Sequence, residues 1–272
     1  MTQPNFSLNR IMQPDLSLSD FIQFAADCSA SGVEVRNDLT DPSLLGGESS
    51  DSIQKKSGEC GIEIVTVNAL QRFNDPNLFE EKIPELTAMM EAAMSVGCRR
   101  IVLCPVNDPE DKRTADKQQR DLVSALNRYA ELFEKYEMIG LVEPLGFDIC
   151  SVRYKKQAVD AISETQLSRF YQIVHDTFHH YLSGEKESFP RETGLVHASG
   201  VSAGKMISDI TDDDRVMVDE NDIMDNKGQI AGLYGGGYEG LFSFEPFSPM
   251  IQKLSNDKMK AQIYQSMEYL FR

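Results

Sequence analysis

Short apolar runs rich in β-branched residues recur along the chain. They fall at Phe6 to Ile11, Gly32 to Arg36, Ile62 to Leu70, Arg100 to Val106, Ile139 to Leu145, Tyr171 to Asp176, Gly194 to His197 and Leu241 to Phe247. Runs of this length predict strands buried on both faces. Between several of them the apolar spacing becomes helical: Leu86, Met89, Met90, Ala93 and Met94 lie at i, i+3, i+4, i+7 and i+8, and Gly97 supplies a stop. Leu122, Leu126, Tyr129, Leu132 and Phe133 repeat the stripe, as do Met259, Ile263, Met267 and Leu270, and all are read as core. Eight strands alternating with helices imply βαβ units. Eight such repeats in 272 residues suit one closed (β/α)8 TIM barrel over 1–272 better than an open doubly wound sheet.

Two irregular regions fit around that frame. The cluster Gly235-Gly236-Gly237 precedes a predicted strand instead of following one, so it reads as the turn into strand eight and not as a nucleotide-binding loop. Glu185 to Thr193 and the acidic stretch Asp209 to Asp225 have no helical period and are placed in loops at the barrel ends, with short helices at most.

Charge and cysteine content narrow the function classes. With 43 acidic residues against 27 basic ones the net charge is −16, which repels a phosphate backbone, and no Lys/Arg run exceeds a pair. A nucleic-acid partner is therefore not expected. No apolar stretch reaches the ~18 to 20 residues of a membrane span and the N-terminus carries no signal pattern, so a cytoplasmic protein without a membrane partner is expected. Cys28, Cys60, Cys98, Cys104 and Cys150 form no Cys-x-x-Cys pair and are odd in number, as befits reduced packing thiols. Cys150 follows a predicted strand end closely enough to approach a site, but it too reads as a small packing residue.

The candidate chemistry lies at strand ends. Glu143, Asp176, His197 and Glu245 close the apolar runs Leu-Val-Glu-Pro, Ile-Val-His-Asp, Leu-Val-His-Ala and Phe-Ser-Phe-Glu-Pro. In a parallel barrel these ends meet at the C-terminal face, where such enzymes keep their chemistry. Three carboxylates and one imidazole converging there predict a site for one divalent metal ion, Mn, Zn, Co or Mg, with open positions. Three of the chain's four histidines, His175, His179 and His180, fall in six residues around Asp176, which strengthens the metal reading. His179, one helical turn past Asp176, is placed to orient a ligand, contact substrate or hold a second metal.

Those residues carry a resemblance. Val33-Glu34-Val35-Arg36, the segment Val67 to Asn74, Leu141-Val142-Glu143-Pro144, His175 to His179, His197, Asp214-Arg215 and Ser243 to Phe247 resemble the xylose isomerase-like barrels, once grouped with the second apurinic-endonuclease family. Within them the Asn-Ala-Leu-x-x-Phe-Asn segment is most similar to the inosose (2-keto-myo-inositol) isomerases of inositol catabolism. The resemblance implies that Glu143, Asp176, His197 and Glu245 hold the metal and that Glu143 and Glu245 double as the acid/base pair. It implies substrate contacts from His179 and Arg215, with Arg36, Asn68 and Arg72 at the barrel mouth, and a small polyhydroxyketone as the partner molecule. The implied reaction interconverts 2-keto-myo-inositol and 1-keto-D-chiro-inositol through an enediolate. A ketose 3-epimerase, a hydroxypyruvate isomerase and a dehydroshikimate-type dehydratase are the alternatives on the same scaffold. Barrels of this type are often dimers or tetramers, so a homo-oligomer is compatible with the reading.

Overall fold

The computed structural model describes residues 4–39 and 43–272. Eight strands, β1 (Phe6–Asn9), β2 (Gly32–Arg36), β3 (Glu63–Gln71), β4 (Arg100–Cys104), β5 (Ile139–Val142), β6 (Tyr171–Asp176), β7 (Thr193–Ala198) and β8 (Phe242–Phe244), pair in parallel in sequence order, and β1 closes on β8. Around them run α1 (Leu18–Asp27), α2 (Ser50–Cys60), α3 (Phe79–Met94), α4 (Ala115–Lys135), α5 (Lys155–Thr165), α6 (Thr177–Ser183), α7 (Asn226–Gly235), α8 (Pro249–Gln252) and α9 (Asn256–Phe271). The sequence placed all eight strands, but four of them end earlier than their apolar runs. β4, β5 and β8 stop one or two residues before Pro105, Pro144 and Pro246, whose missing N–H ends the ladder. At the end of β1 the Asn9 side chain accepts from the Ile11 backbone N–H and opens a 3-10 turn, Arg10–Met12.

Strand alternation sorts side chains into two apolar layers. Outward residues such as Leu8, Val33, Ile101 and Phe242 pack under the helices with Leu86, Leu126, Phe133 and Ile263, each fully buried. Inward residues Val65, Ala69, Val102, Cys104, Leu141, Val174 and Leu195 form a separate cluster inside the barrel. Met94 departs from its stripe: as the last residue of α3 it is 38% exposed. The triple glycine also moves from its predicted place. Gly235 ends α7, Gly236 caps it, and Gly237 adopts φ +100°, so the turn closes a helix and does not lead directly into β8. The acidic stretch opens at the end of one short 3-10 turn, Ile207–Asp209, and holds another, Asp212–Asp214, and Thr193 begins β7. No helix among the described residues is long and apolar enough to cross a membrane.

Candidate metal centre and active site

Four strands deliver their last inward residues to one point at the C-terminal face. Glu143 follows β5, Asp176 and His197 belong to β6 and β7, and Glu245 follows β8; all four are buried, and one donor atom from each lies within 4.8 Å of every other. His197 Nδ1 is 2.7 Å from Glu143 Oε1, 3.2 Å from Glu245 Oε2 and 3.9 Å from Asp176 Oδ2. Oxygen and nitrogen donors in this number suit one divalent cation. Burial sharpens the fit, because three carboxylates cannot share a dry site without positive charge to offset them.

Each of these groups is held from behind. Asp176 is also the N-cap of α6: its Oδ1 accepts from the backbone N–H of Phe178 at 2.7 Å and of His179 at 3.3 Å, while Oδ2 accepts from Arg215 Nη2 at 2.7 Å. Glu245 Oε2 accepts from the same Nη2 at 2.9 Å, and its Oε1 accepts from Arg36 Nη1 at 2.7 Å and Asn9 Nδ2 at 3.1 Å. Arg36 in turn grips Asp38 with two 2.7 Å bonds. Glu143 Oε2 lies 3.4 Å from the Cys104 thiol. On its far side His197 Nε2 sits 3.1 Å from Glu34 Oε2, which also accepts from Thr66 Oγ1 and Asn68 Nδ2.

Protonation follows from this packing. Burial pushes Glu245 up to about 7, reinforced by Glu143 and opposed by His197 and Arg215. Burial would raise Glu143 as well, but the His197 ring beside it holds its carboxyl below the usual range. Asp176 resists burial through Arg215 and stays near 2. For His197, burial is outweighed by Glu245, Glu34 and Glu143, which hold the ring charged well above 6.5 when no cation is present. His179 is lowered by burial.

The other sequence candidates divide. Arg36, Asn68, Arg72, His179 and Arg215 all line a cavity of about 400 Å³ whose floor includes Glu143 and Glu245. A larger one of about 530 Å³ lies elsewhere, around Tyr171 and Arg191, away from these groups. Arg215 is 1% exposed, sandwiched between the Phe178 and Phe247 rings at 4.8 and 4.6 Å. Its side chain reaches Asp212 and Ser199, while the neighbouring Asp214 pairs with Lys205. Arg72 lies at the rim, bonded to Asp75 and Asp108. Gly146 lets the loop after β5 pass against α6, since a Cβ there would meet the His179 carbonyl oxygen at 2.1 Å.

The histidine cluster does not act as one. His179 faces the cavity beside Phe147, but His175 points out of the barrel, its ring 4.8 Å from that of His180 and its Nε2 3.0 Å from Gln229. Lys155, bonded to His180 and Glu185, completes that separate buried group. A strand that turns into a helix sends neighbouring residues to different sides, so proximity in sequence overstated their association. Cys104, not Cys150, lines the cavity; Cys150 is buried and makes an isolated bridge to Asn107. Sequence reasoning also passed over Asn9, Asp38, Thr66, Ser199 and Asp212, and assigned no role to Glu34. Only Glu34, an acid in the apolar run of β2, carried a signal that could have found it.

Residues 22–272 match the model of the xylose isomerase-like TIM barrel. The chain is similar to a xylose isomerase domain containing protein from Salmonella typhimurium LT2, with 33% identity and a TM-score of 0.91 over 100% of this chain and 99% of the other. It shares its fold with the IOLI protein, whose structure holds a binding zinc atom, at 21% identity and a TM-score of 0.88 over 98% and 100% of the two chains. The fold is also that of D-psicose 3-epimerase from Clostridium cellulolyticum H10, solved with D-tagatose, at 13% identity and a TM-score of 0.70 over 98% and 99%. No curated protein matches the chain.

Proposed function

The chain belongs to the xylose isomerase-like TIM barrel family, and on that premise we propose that it is a divalent-metal-dependent keto-isomerase acting on a neutral cyclic polyhydroxyketone. The substrate pair we propose is 2-keto-myo-inositol and 1-keto-D-chiro-inositol, a choice supported by the likeness of the segment Val67 to Asn74 to that of inosose isomerases. The observation that carries this reading is the convergence of Glu143, Asp176, His197 and Glu245 in one buried cluster, of which Glu143 and Glu245 line a polar cavity. These four residues would hold the ion, which when bound supplies the Lewis acidity that makes a proton beside a ketone removable.

The chain's own groups do the rest. Glu143 and Glu245 directly follow strands β5 and β8, and in the metal-free centre their carboxyls are pushed in opposite directions, one held ionised and the other raised by burial. Such a pair suits a base that takes the α-proton and an acid that returns one to the former carbonyl carbon, while a matching proton passes from the α-hydroxyl oxygen to the former carbonyl oxygen. His179 and Arg215 would orient the keto and hydroxyl oxygens from the side of α6 and the loop after β7, with Arg36, Asn68 and Arg72 toward the mouth. Arg36, Arg72 and Arg215 are each bonded to carboxylates already, which supports an uncharged substrate over an anionic one.

The test follows solvent deuterium. With metal-loaded protein, deuterium should enter the α-carbon of 2-keto-myo-inositol, and Glu245→Gln should slow that exchange by roughly 10²- to 10⁴-fold, the usual weight of a general acid or base, with the ion still bound. Absence of metal-dependent exchange on any inosose or linear ketose overturns the reading.

A further inference from the structure

We propose that Glu34 is a positioning residue for this centre: by accepting the Nε2 hydrogen of His197 it selects the tautomer, and the ring angle, that aim Nδ1 at the carboxylate cluster. The inference rests on the reading of His197 as a metal ligand. Its basis is the asymmetry of the ring's surroundings. Nδ1 faces Glu143, Glu245 and Asp176, whereas the partner of Nε2 is Glu34 Oε2 at 3.1 Å. A neutral imidazole carries one hydrogen, and a nitrogen that offers its lone pair to a cation cannot be the one that bears it. The hydrogen must then sit on Nε2.

Without a strong acceptor there, the opposite arrangement is available. A hydrogen on Nδ1 would bond Glu143 Oε1 at 2.7 Å and close the histidine to a cation. Once the ring gives up one of the two hydrogens it carries in the metal-free centre, Glu34 and Glu143 compete from opposite sides for the one that remains. Glu34 is equipped to win it, since the carboxylate is fully buried and its Oε2 is fixed by Thr66 Oγ1 at 2.6 Å and Asn68 Nδ2 at 2.8 Å. Glu34 does not itself line the cavity; it reaches the site through His197 and through Asn68, which stands in the cavity wall. Partners of this kind, behind a coordinating histidine, commonly change metal affinity about 10- to 100-fold when removed.

Zinc affinity, measured by chelator competition on the full chain, tests the proposal with Glu34→Gln, Glu34→Ala and Thr66→Val. Glu34→Gln keeps the shape and a weaker acceptor and should bind zinc roughly 10-fold less tightly; Glu34→Ala should fall toward 100-fold, and Thr66→Val should lose less than either. If the alanine variant does not fold, the glutamine variant carries the measurement. In ¹⁵N-histidine spectra of the zinc-loaded wild type, His197 should bear its hydrogen on Nε2. A purely structural role for Glu34 would lower the melting temperature with zinc affinity unchanged, and that result, or a hydrogen on Nδ1 in the zinc form, overturns the proposal. Wild-type protein that takes up no zinc would overturn the metal reading along with it, whereas normal wild-type binding with unaffected Glu34 variants would sink this inference alone.

Discussion

Inside the barrel, Val65, Val102, Leu141, Val174 and Leu195 fill one side from β3 to β7, while Ser7, Glu34, Thr66 and Ser243 come in from β1, β2, β3 and β8 on the other. All are buried, yet their demands differ. The apolar side needs only the right volume, and each well-filled side chain contributes roughly 1.5 to 3 kcal/mol by leaving water. The polar side is costly to bury, at about 1 to 3 kcal/mol for each group without a partner, and Ser7 Oγ has none. What that cost sustains is direction: Glu34 faces His197, and Asn9 and Arg36 fix one oxygen of Glu245. One side of the bore gives the barrel its stability. The other aims the site.

Arg215 is the sharpest place to break this comparison. Its guanidinium is the shared cation of Asp176 and Glu245 in a fully buried setting, so Arg215→Ala leaves two carboxylates short of a partner. The metal-free protein should lose about 3 to 5 kcal/mol in urea unfolding, the range for breaking a buried ion pair from one side. A divalent ion should restore part of the loss, because it supplies the missing charge. If the variant unfolds like the wild type, the polar side is not held together by charge in the way its geometry indicates.

How much of this could be read in the sequence depends on where each side chain's partner lies. Glu143, Asp176, His197 and Glu245 were legible because each ends an apolar run, and parallel strands bring such ends to one face whatever the details of packing. The pair Glu34 and His197 was not, since its members are 163 positions apart and meet only after the barrel closes with a register shift beside Glu34. His175 and His180 misled for the converse reason: they are neighbours in sequence whose directions depend on the strand-to-helix turn at Asp176. Asp212, not its neighbour Asp214, bonds Arg215 because the 3-10 turn sends the two acids to different sides. Strand count and core stripes need only periodicity, whereas hydrogen-bond partners need coordinates.

The protons on the polar side offer a second, smaller effect. In the metal-free centre Glu245 is raised to about 7 by burial, and His197 is raised well above 6.5 by its carboxylates against the pull of burial. Both groups hold protons below those values and lose them as pH rises. A cation must displace those protons, so zinc affinity should climb as pH rises through neutrality, by about tenfold per pH unit for each proton released. Chelator competition at a series of pH values, with proton release read by an indicator dye, checks the slope. A flat profile between pH 6 and 8 would mean that the carboxylates and imidazole are not the groups that receive the ion.

The smallest effect belongs to the apolar side. Leu141 sits in the bore on β5, two residues before Glu143, which directly follows that strand; it packs among the aliphatic residues of the inner cluster and makes no directional contact. Leu141→Met conserves volume and adds only flexibility, so it should cost less than about 1.5 kcal/mol in unfolding free energy. Because the strand itself and not this side chain carries Glu143 to the cluster, zinc affinity and the deuterium exchange rate should stay at wild-type levels. A variant that keeps its stability but loses zinc would show that the inner packing also steers Glu143, and the division of the bore into a filling side and an aiming side would have to be redrawn around β5.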